Sequence, residues 1–307
     1  MGSFHKIKGI RKTMKKKYKL DITDYIKVNK RILYRIIACK DFADIKKGDK
    51  GGYIEGEKNL SHDGNAWVYD NAKVYDNAKV LGNARVSDNS KVSGNARIYG
   101  YARVSSSAWV FGDAQVYDDA QVFGRARISE KAHVCNCARI YDDTLVSGNA
   151  WVFGKAWVFE HAYVCDNVHV SENARVSGKA EISGKAWVFG AAHVLGNACV
   201  RGDAQVHGNA EISGNVLIFG DAEISSGARV SKRGDYFCAQ EFGSTGRTTT
   251  FFRKKNGWGV SCGCFLGTIE DFRKKVKETH GDSLIAQEYL LIADLMELRI
   301  KRIETEG

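Results

Sequence analysis

Proline is missing from all 307 residues, methionine appears three times, and no apolar run approaches the length of a membrane span. The first residues carry charge without an apolar segment, which argues against a signal peptide. Met1-Gly2 opens like a myristoylation signal, but Lys6 stands where Ser or Thr is wanted. A cytoplasmic protein with no membrane partner is therefore expected. None of the eight cysteines forms a CxxC pair, so the spacings fit neither a zinc ribbon nor a redox motif. Cys135/Cys137 and Cys262/Cys264 are CxC pairs, which along a strand would put both thiols on one face. Ordinary reduced thiols with no metal role are the expectation.

What is present is uneven. Hydrophobic residues make up 44% of the chain, an ordinary share that excludes disorder for most of it. Residues 1–50 hold 16 Lys/Arg against 5 Asp/Glu, whereas residues 51–230 hold 17 against 20. The net charge of +10 is thus a property of the front end.

From Ala66 to Val230 the chain keeps a period of six. The small position, stepping from Ala66, is Ala in 24 of 28 steps, with Ser90, Thr144, Val168 and Val216 the exceptions. Two residues on, from Val68 to Val230, all 28 positions are Val or Ile. An extended unit such as Ala66-Trp67-Val68-Tyr69 points Ala66 and Val68 one way and Trp67 and Tyr69 the other. Gly, Asn and Asp follow, as in Asp70-Asn71 and Gly82-Asn83, and these residues tolerate left-handed turns. Short strands joined by corners, stacked so that the aliphatic columns bury one another, make a solenoid.

Units such as Val80-Leu81-Gly82-Asn83-Ala84-Arg85 resemble the hexapeptide-repeat family. The resemblance implies a left-handed parallel β-helix of triangular section with three hexads per coil, although general topology rules favour the opposite hand. At ~4.8 Å between strands, roughly nine coils would form a prism about 45 Å long. The fold class expected is an all-β solenoid with a small cap at each end. The expected divisions are a basic flexible arm over 1–16, an N-terminal β cap over 17–62, the β-helix over 63–232 and a C-terminal ββαα domain over 235–307.

In the N-terminal cap, Tyr25 to Val28 and then Ile32, Tyr34, Ile36 and Ala38 read as two strands about a turn at Asn29-Lys30. The stretch from Lys40 to Ile54 resembles the N-terminal module of hexapeptide-repeat proteins common in bacterial and prophage genomes. Beyond the repeat, Thr248–Arg253 and Trp258–Cys264 read as a hairpin about Asn256-Gly257. Thr268 with Asp271 opens a helix that Gly281 closes, and Ser283 opens a second running to about Ile303. The second helix is apolar on more than one stripe, which predicts that its own domain or a neighbouring subunit covers it on two sides.

Outward residues 18 apart share a face of the prism. One face carries Trp67, Arg85, Arg103, Gln121, Arg139, Trp157, Arg175 and His193; another carries Lys79, Arg97, Gln115, His133, Trp151, His169, Trp187 and Gln205. Two residues along that second face stand Tyr99, Tyr117, Phe153, Phe189 and His207. The strip of His133, Trp151, Phe153, His169, Trp187 and Phe189 reads as a subunit interface or as a platform for a planar ligand. Arg85, Arg103, Arg139 and Arg175, around Trp157, would repel one another unless an anion or acidic partner lies across them. Lys73, Lys79, Lys91 and Arg97, with Arg85 and Arg103, put cations on all three faces beside the basic arm. Nucleic acid or another polyanion is a possible partner for that end, although no recognised nucleic-acid module accompanies it.

Two function classes follow. One is a non-catalytic oligomeric binder or scaffold, trimeric for preference and without a cofactor, that sequesters a host protein or a small anionic ligand. Prophage-like company would suit an accessory protein such as a host-defence inhibitor. The other is implied by the family resemblance: an acyltransferase taking acyl-CoA, with His133 or His169 as general base in a groove between subunits. Against it stand the absence of an extruded loop in the repeat and of a carboxylate set to orient either histidine. A zinc site of three histidines is disfavoured because His161 falls at a corner.

Overall fold

The computed structural model describes residues 16–243 and 246–306. Its centre is a parallel β-helix with the left-handed winding that the resemblance implied. All 28 hexads contribute a two-residue strand, from Trp67–Val68 to Arg229–Val230. Strands 18 residues apart pair in register, so Trp67 lies beside Arg85, Arg85 beside Arg103 and Arg103 beside Gln121. Three sheets of 12, 10 and 9 strands result, the largest including strands from the cap.

The inward columns account for the cohesion. Every Val or Ile of the repeat is fully buried, and the alanines beside them are buried with at most a trace of exposure. Burial of a valine side chain contributes roughly 1.5–3 kcal/mol relative to exposure. Between coils the backbone is satisfied directly: Trp67 N–H donates to the Ala84 carbonyl at 3.0 Å and Arg85 N–H to the Ala102 carbonyl at 2.9 Å. Corners need left-handed angles, supplied by Gly82 at φ 65°, Asp70 at φ 50° and Asn136 at φ 54°.

Corner carboxylates have a task of their own. Asp70 accepts from the backbone N–H of Asp88 at 3.2 Å, and Asp88 in turn from that of Ser106 at 2.7 Å. Asp76 does the same for Gly94 at 3.1 Å. These acids therefore tie successive coils together besides offsetting nearby cations. The CxC expectation fails for a related reason. The dipeptide step from Cys135 to Cys137 turns a corner, leaving Cys135 buried and Cys137 exposed. Gly263, at φ 58°, likewise turns the chain between Cys262 and the exposed Cys264.

At the N-terminal end, β1 (Tyr18–Val28) and β2 (Arg31–Ala38) form a hairpin, and β3 (Lys50–Ile54) pairs β2 with the first coil. Ile54 lies beside Val74, and Leu60 bridges to Val80, so this segment supplies most of an additional turn without the hexad signature. Ile32, Tyr34, Ile36 and Ala38, which alternate along one face of β2, do not all turn inward. Ile32 is exposed while Leu33 is buried against Tyr53 and Tyr75, and Ile36 and Ala38 enter the main core. β2 keeps its alternation, with the irregularities on β1 and β3, so Leu33 lies on the opposite face from Ile36 and Ala38 and the strand buries a residue on each side. Lys17 closes the open end. Its ammonium donates to the carbonyls of Ala66 at 2.9 Å and Gly64 at 3.3 Å, and burial, then Lys40, pushes its pKa down to about 8. The arm expected over 1–16 lies outside the described residues except Lys16, which pairs with Glu57 at 2.6 Å.

At the other end a four-stranded antiparallel sheet packs against two helices, α1 (Ile269–His280) and α2 (Leu284–Glu306). Strands Tyr236–Phe242 and Phe265–Gly267 add to the expected hairpin, which comprises Arg247–Arg253 and Trp258–Cys262. Adjacent residues serve different cores: Phe252 closes the prism together with Tyr236, and Phe251 packs in the terminal domain. Thr268 and Asp271 form the capping box of α1, and Gly281 ends it.

The 18-residue register predicts the response to deletions. Removing one whole coil, residues 103–120, should leave a cooperatively folded, shorter protein with its circular-dichroism signature intact. Removing Asp113 alone should abolish the cooperative thermal transition. Equal behaviour of the two variants would contradict the register.

Candidate functional site

The outward residue at position n lies one coil below residue n+18, but it also has a diagonal neighbour within contact. A side chain two residues past an outward strand position touches the outward residue sixteen further on. Trp109 Nε1–H donates to Ser93 Oγ at 3.0 Å by this spacing. Tyr117 meets His133 edge-on at 6.1 Å, and Phe153 meets His169 at 6.4 Å.

On the face expected to be aromatic the rings do meet. Tyr99 stacks on Tyr117 at 4.9 Å, and His133 lies flat on Trp151 at 4.4 Å and 12°. His169 packs on Trp187 at 4.9 Å, and Phe189 stacks on His207 at 4.7 Å and 7°. Phe153 and Phe189 are half-buried, whereas Trp151 keeps 38% and Trp187 49% of its surface exposed. The two histidines singled out by sequence are poorly equipped as bases. Nδ1 of His133 and of His169 is buried without a hydrogen-bond partner. Burial also holds the His133 imidazole below its ordinary range, so the neutral ring is favoured.

His207, at the top of the same strip, is differently placed. Its Nε2 lies 3.0 Å from Glu223 Oε1, the n+16 neighbour one coil on. Ser261, from strand Trp258–Cys262 of the terminal domain, donates its hydroxyl to Glu223 Oε2 at 2.6 Å. The Glu223 backbone N–H donates to Thr250 Oγ1 at 3.2 Å. The hydrogen bond from His207 is the main cause of a depressed Glu223 pKa, with Ser261 adding to it against the opposing effect of burial. An ionised carboxylate only accepts, so His207 carries its proton on Nε2 and presents Nδ1 as the basic atom. About a fifth of the His207 side chain, 21%, remains in contact with solvent. His207 was visible in the sequence only as one of a row. Glu223 could have been found by the sixteen-residue spacing, but nothing local points to Ser261.

The arginine face is not a continuous row of repelling charge. Arg139 and Arg175 lie over Trp157 at 5.3 and 5.1 Å, with the indole between them. Arg85 pairs with Asp44 at 2.9 Å, and Arg103 is exposed beside Gln121. At the basic end Lys91 lies 5.9 Å over Trp109, while Lys79 and Arg97 are exposed neighbours. Lys73 is half-buried, its pKa lowered by burial and then by Lys91. Trp67, grouped with the outward residues by its position, is buried beneath Tyr18 and Phe42 of the cap.

No family model matches the chain. Over 39 residues it is 46% identical to the uncharacterized acetyltransferase YdcK of Escherichia coli strain K12, a segment covering 13% of this chain and 12% of that protein. Among solved structures, LpxA from Acinetobacter baumannii aligns with a TM-score of 0.25 at 12% identity, over 49% of this chain and 69% of LpxA. Among the described residues no helix is long and apolar enough to cross a membrane, and no three His, Cys, Asp or Glu residues are grouped to hold a metal ion.

Because the folded Glu223 carboxyl titrates below its ordinary range, its contribution to stability is complete above that range and is lost as pH falls through the depressed value. Glu223→Gln should therefore melt at a lower temperature than the parent at pH 7, and the gap should narrow towards pH 3. A gap unchanged by acid, read from melts across that interval, would remove the ionised His207–Glu223 contact.

Proposed function

We propose that the protein transfers an acyl group from a thioester such as acyl-CoA to a hydroxyl or amine, with His207 as the general base and Glu223 orienting it. The observation carrying this reading is the chain His207–Glu223–Ser261 at the junction of the prism and the terminal sheet. In it a histidine is held by a carboxylate that is itself fixed by a hydroxyl, an arrangement suited to proton transfer. The segment shared with a protein described as an acetyltransferase supports the same class.

In this scheme Nδ1 of His207 takes the proton from the acceptor as its oxygen or nitrogen attacks the thioester carbonyl. The new C–O or C–N bond forms, the C–S bond breaks, and the imidazolium returns the proton to the departing thiolate. Glu223 stays ionised throughout and stabilises the imidazolium. The roles given by the family resemblance to His133 and His169 pass to His207, because their buried Nδ1 atoms have no orienting partner.

The test is thiol release from acetyl-CoA with a panel of amines and sugars. His207→Ala should lower turnover by about 10²–10⁴-fold with the oligomer unchanged, the range typical of losing a general base. Glu223→Gln should lower it less and shift the pH profile. Turnover lost with His133→Ala but kept with His207→Ala would move the base elsewhere. Absence of both CoA binding by calorimetry and thiol release would end the acyl-transfer reading.

A second, non-catalytic reading is favoured by one observation, the exposed edges of Trp151 and Trp187 on a strip of stacked rings. Aromatic surface of this kind suits the interface of a homo-oligomer or a planar ligand. Trp151→Glu combined with Trp187→Glu should lower the mass measured by light scattering, and an unchanged mass would discard the interface. Neither similar protein is described by a name connected with phage, so the accessory-protein expectation gains no support from them.

A further inference from the structure

Helix α2 has two apolar faces, and the structure covers one. Ala286, Tyr289, Ile292, Ala293 and Met296 are buried against α1 and the terminal sheet. Roughly opposite them, Leu284, Leu291, Leu295 and Leu298 are 77%, 65%, 55% and 66% exposed. At 100° per residue these four fall within an arc of about 60°. Four large leucines in one line on a soluble surface are not the scattered exposure that a monomer tolerates.

Their spacing says what kind of surface would cover them. Steps of seven, four and three residues are the d, d, a, d positions of a heptad, the seam along which two helices pack knobs into holes. The remaining a positions are Glu288 and Arg302, each seven residues from Leu295, one on either side. A parallel, in-register pair of α2 helices would put Glu288 against Glu288 and Arg302 against Arg302. An antiparallel pair about a two-fold axis at Leu295 instead puts Glu288 of each copy opposite Arg302 of the other. Beside the stripe Asp294 pairs with Arg273 of α1, Arg299 lies over Phe237, and Glu288 accepts from the Gly243 N–H at 3.1 Å, so the pairing across copies would add to contacts already made within each chain.

A cavity of about 550 Å³ opens beside the last turns of α2, lined by Phe237, Leu295, Met296, Leu298 and Arg299 among others. Antiparallel pairing brings the start of a second α2, with its Leu284 and Leu291, alongside that cavity. A helix of 23 residues is about 34 Å long. Pairing along most of that length while filling the cavity would bury on the order of 1,000 Å², the lower range for specific association.

We propose that the leucine stripe of α2 docks against the same stripe of a second copy of this chain, antiparallel and about a two-fold axis at Leu295. The contact is isologous, with each copy supplying the same patch and its complementary charges. It joins two molecules through their terminal domains and uses no residue of the aromatic strip. It does not depend on the acyl-transfer reading.

The full-length chain tests this by sedimentation and oxidative cross-linking. Leu291→Lys with Leu295→Lys should halve the mass while leaving the circular-dichroism spectrum and the melt of the β-helix unchanged. Glu288→Arg should weaken self-association at least tenfold, and adding Arg302→Glu should restore it. Leu295→Cys should give a disulfide-linked dimer above the background of the unsubstituted chain, whereas Leu284→Cys should not. An unchanged mass in the double-lysine variant, or equal cross-linking at 284 and 295, would overturn the proposal. So would a parent chain already monomeric at high micromolar concentration, which would leave the stripe to a different partner.

Discussion

Every coil hands its backbone amides to the carbonyls of the next, and that constraint governs the rest of the molecule. With Trp67 N–H bound to the Ala84 carbonyl and Arg85 N–H to the Ala102 carbonyl, the register cannot drift by one residue without turning a Val or Ile outward. Turns that hold this register must take left-handed angles, which is why Gly, Asn and Asp stand at so many corners. The acids among them then serve twice, as turn formers and as acceptors for the coil above. Regularity is therefore a consequence of closure, and the outer surface inherits it as a lattice of side chains about one strand spacing apart.

Such a lattice forces like residues into contact, and the chain meets the resulting repulsion in the same manner on two faces. Trp157 lies between Arg139 and Arg175, and Trp109 lies between Lys91 and Arg127. An indole offers a negative π-face to the cation on either side, replacing a repulsive pair by two favourable contacts. Where no ring intervenes, the cap or the corners supply carboxylates, as Asp44 does for Arg85. Several cations of these faces are therefore already engaged within the molecule, whereas Lys79, Arg97 and Arg103 stay exposed.

The solenoid was legible because each hexad states its own geometry, and the three faces followed from arithmetic. Helices α1 and α2 were legible because Thr268, Gly281 and Ser283 mark their ends. Less could be read where long-range pairing sets the local geometry. On β2 the face opposite Ile36 and Ala38 is also covered, so Leu33 is buried against Tyr53 and Tyr75 while Ile32 stays exposed, and no property of those residues announces it. The turn of additional β-helix made by Lys50–Ile54 and Leu60 lacks the alanine-and-valine signature, since β1 and β2 cover it. In the candidate site, the strip of rings could be read from residue numbers. Which of its histidines has a carboxylate could not, as long as only vertical neighbours were counted.

The position of that carboxylate follows from the architecture. Within a repeat, a side chain has neighbours above and below drawn from the same few types, so stacking and simple ladders are the rule. A catalytic grouping needs unlike groups at one point, and a straight prism supplies those only where the repeat meets something else. Around His207 the strip of rings ends, Glu223 follows Gln205 in the outward column, and strand Trp258–Cys262 brings Ser261 from outside the repeat. The terminal domain is thus more than a plug for the last coil. It fixes an acidic side chain that the prism alone would leave to solvent, and it does so one coil beyond the only histidine on that face whose second ring nitrogen is held by a carboxylate among the described residues.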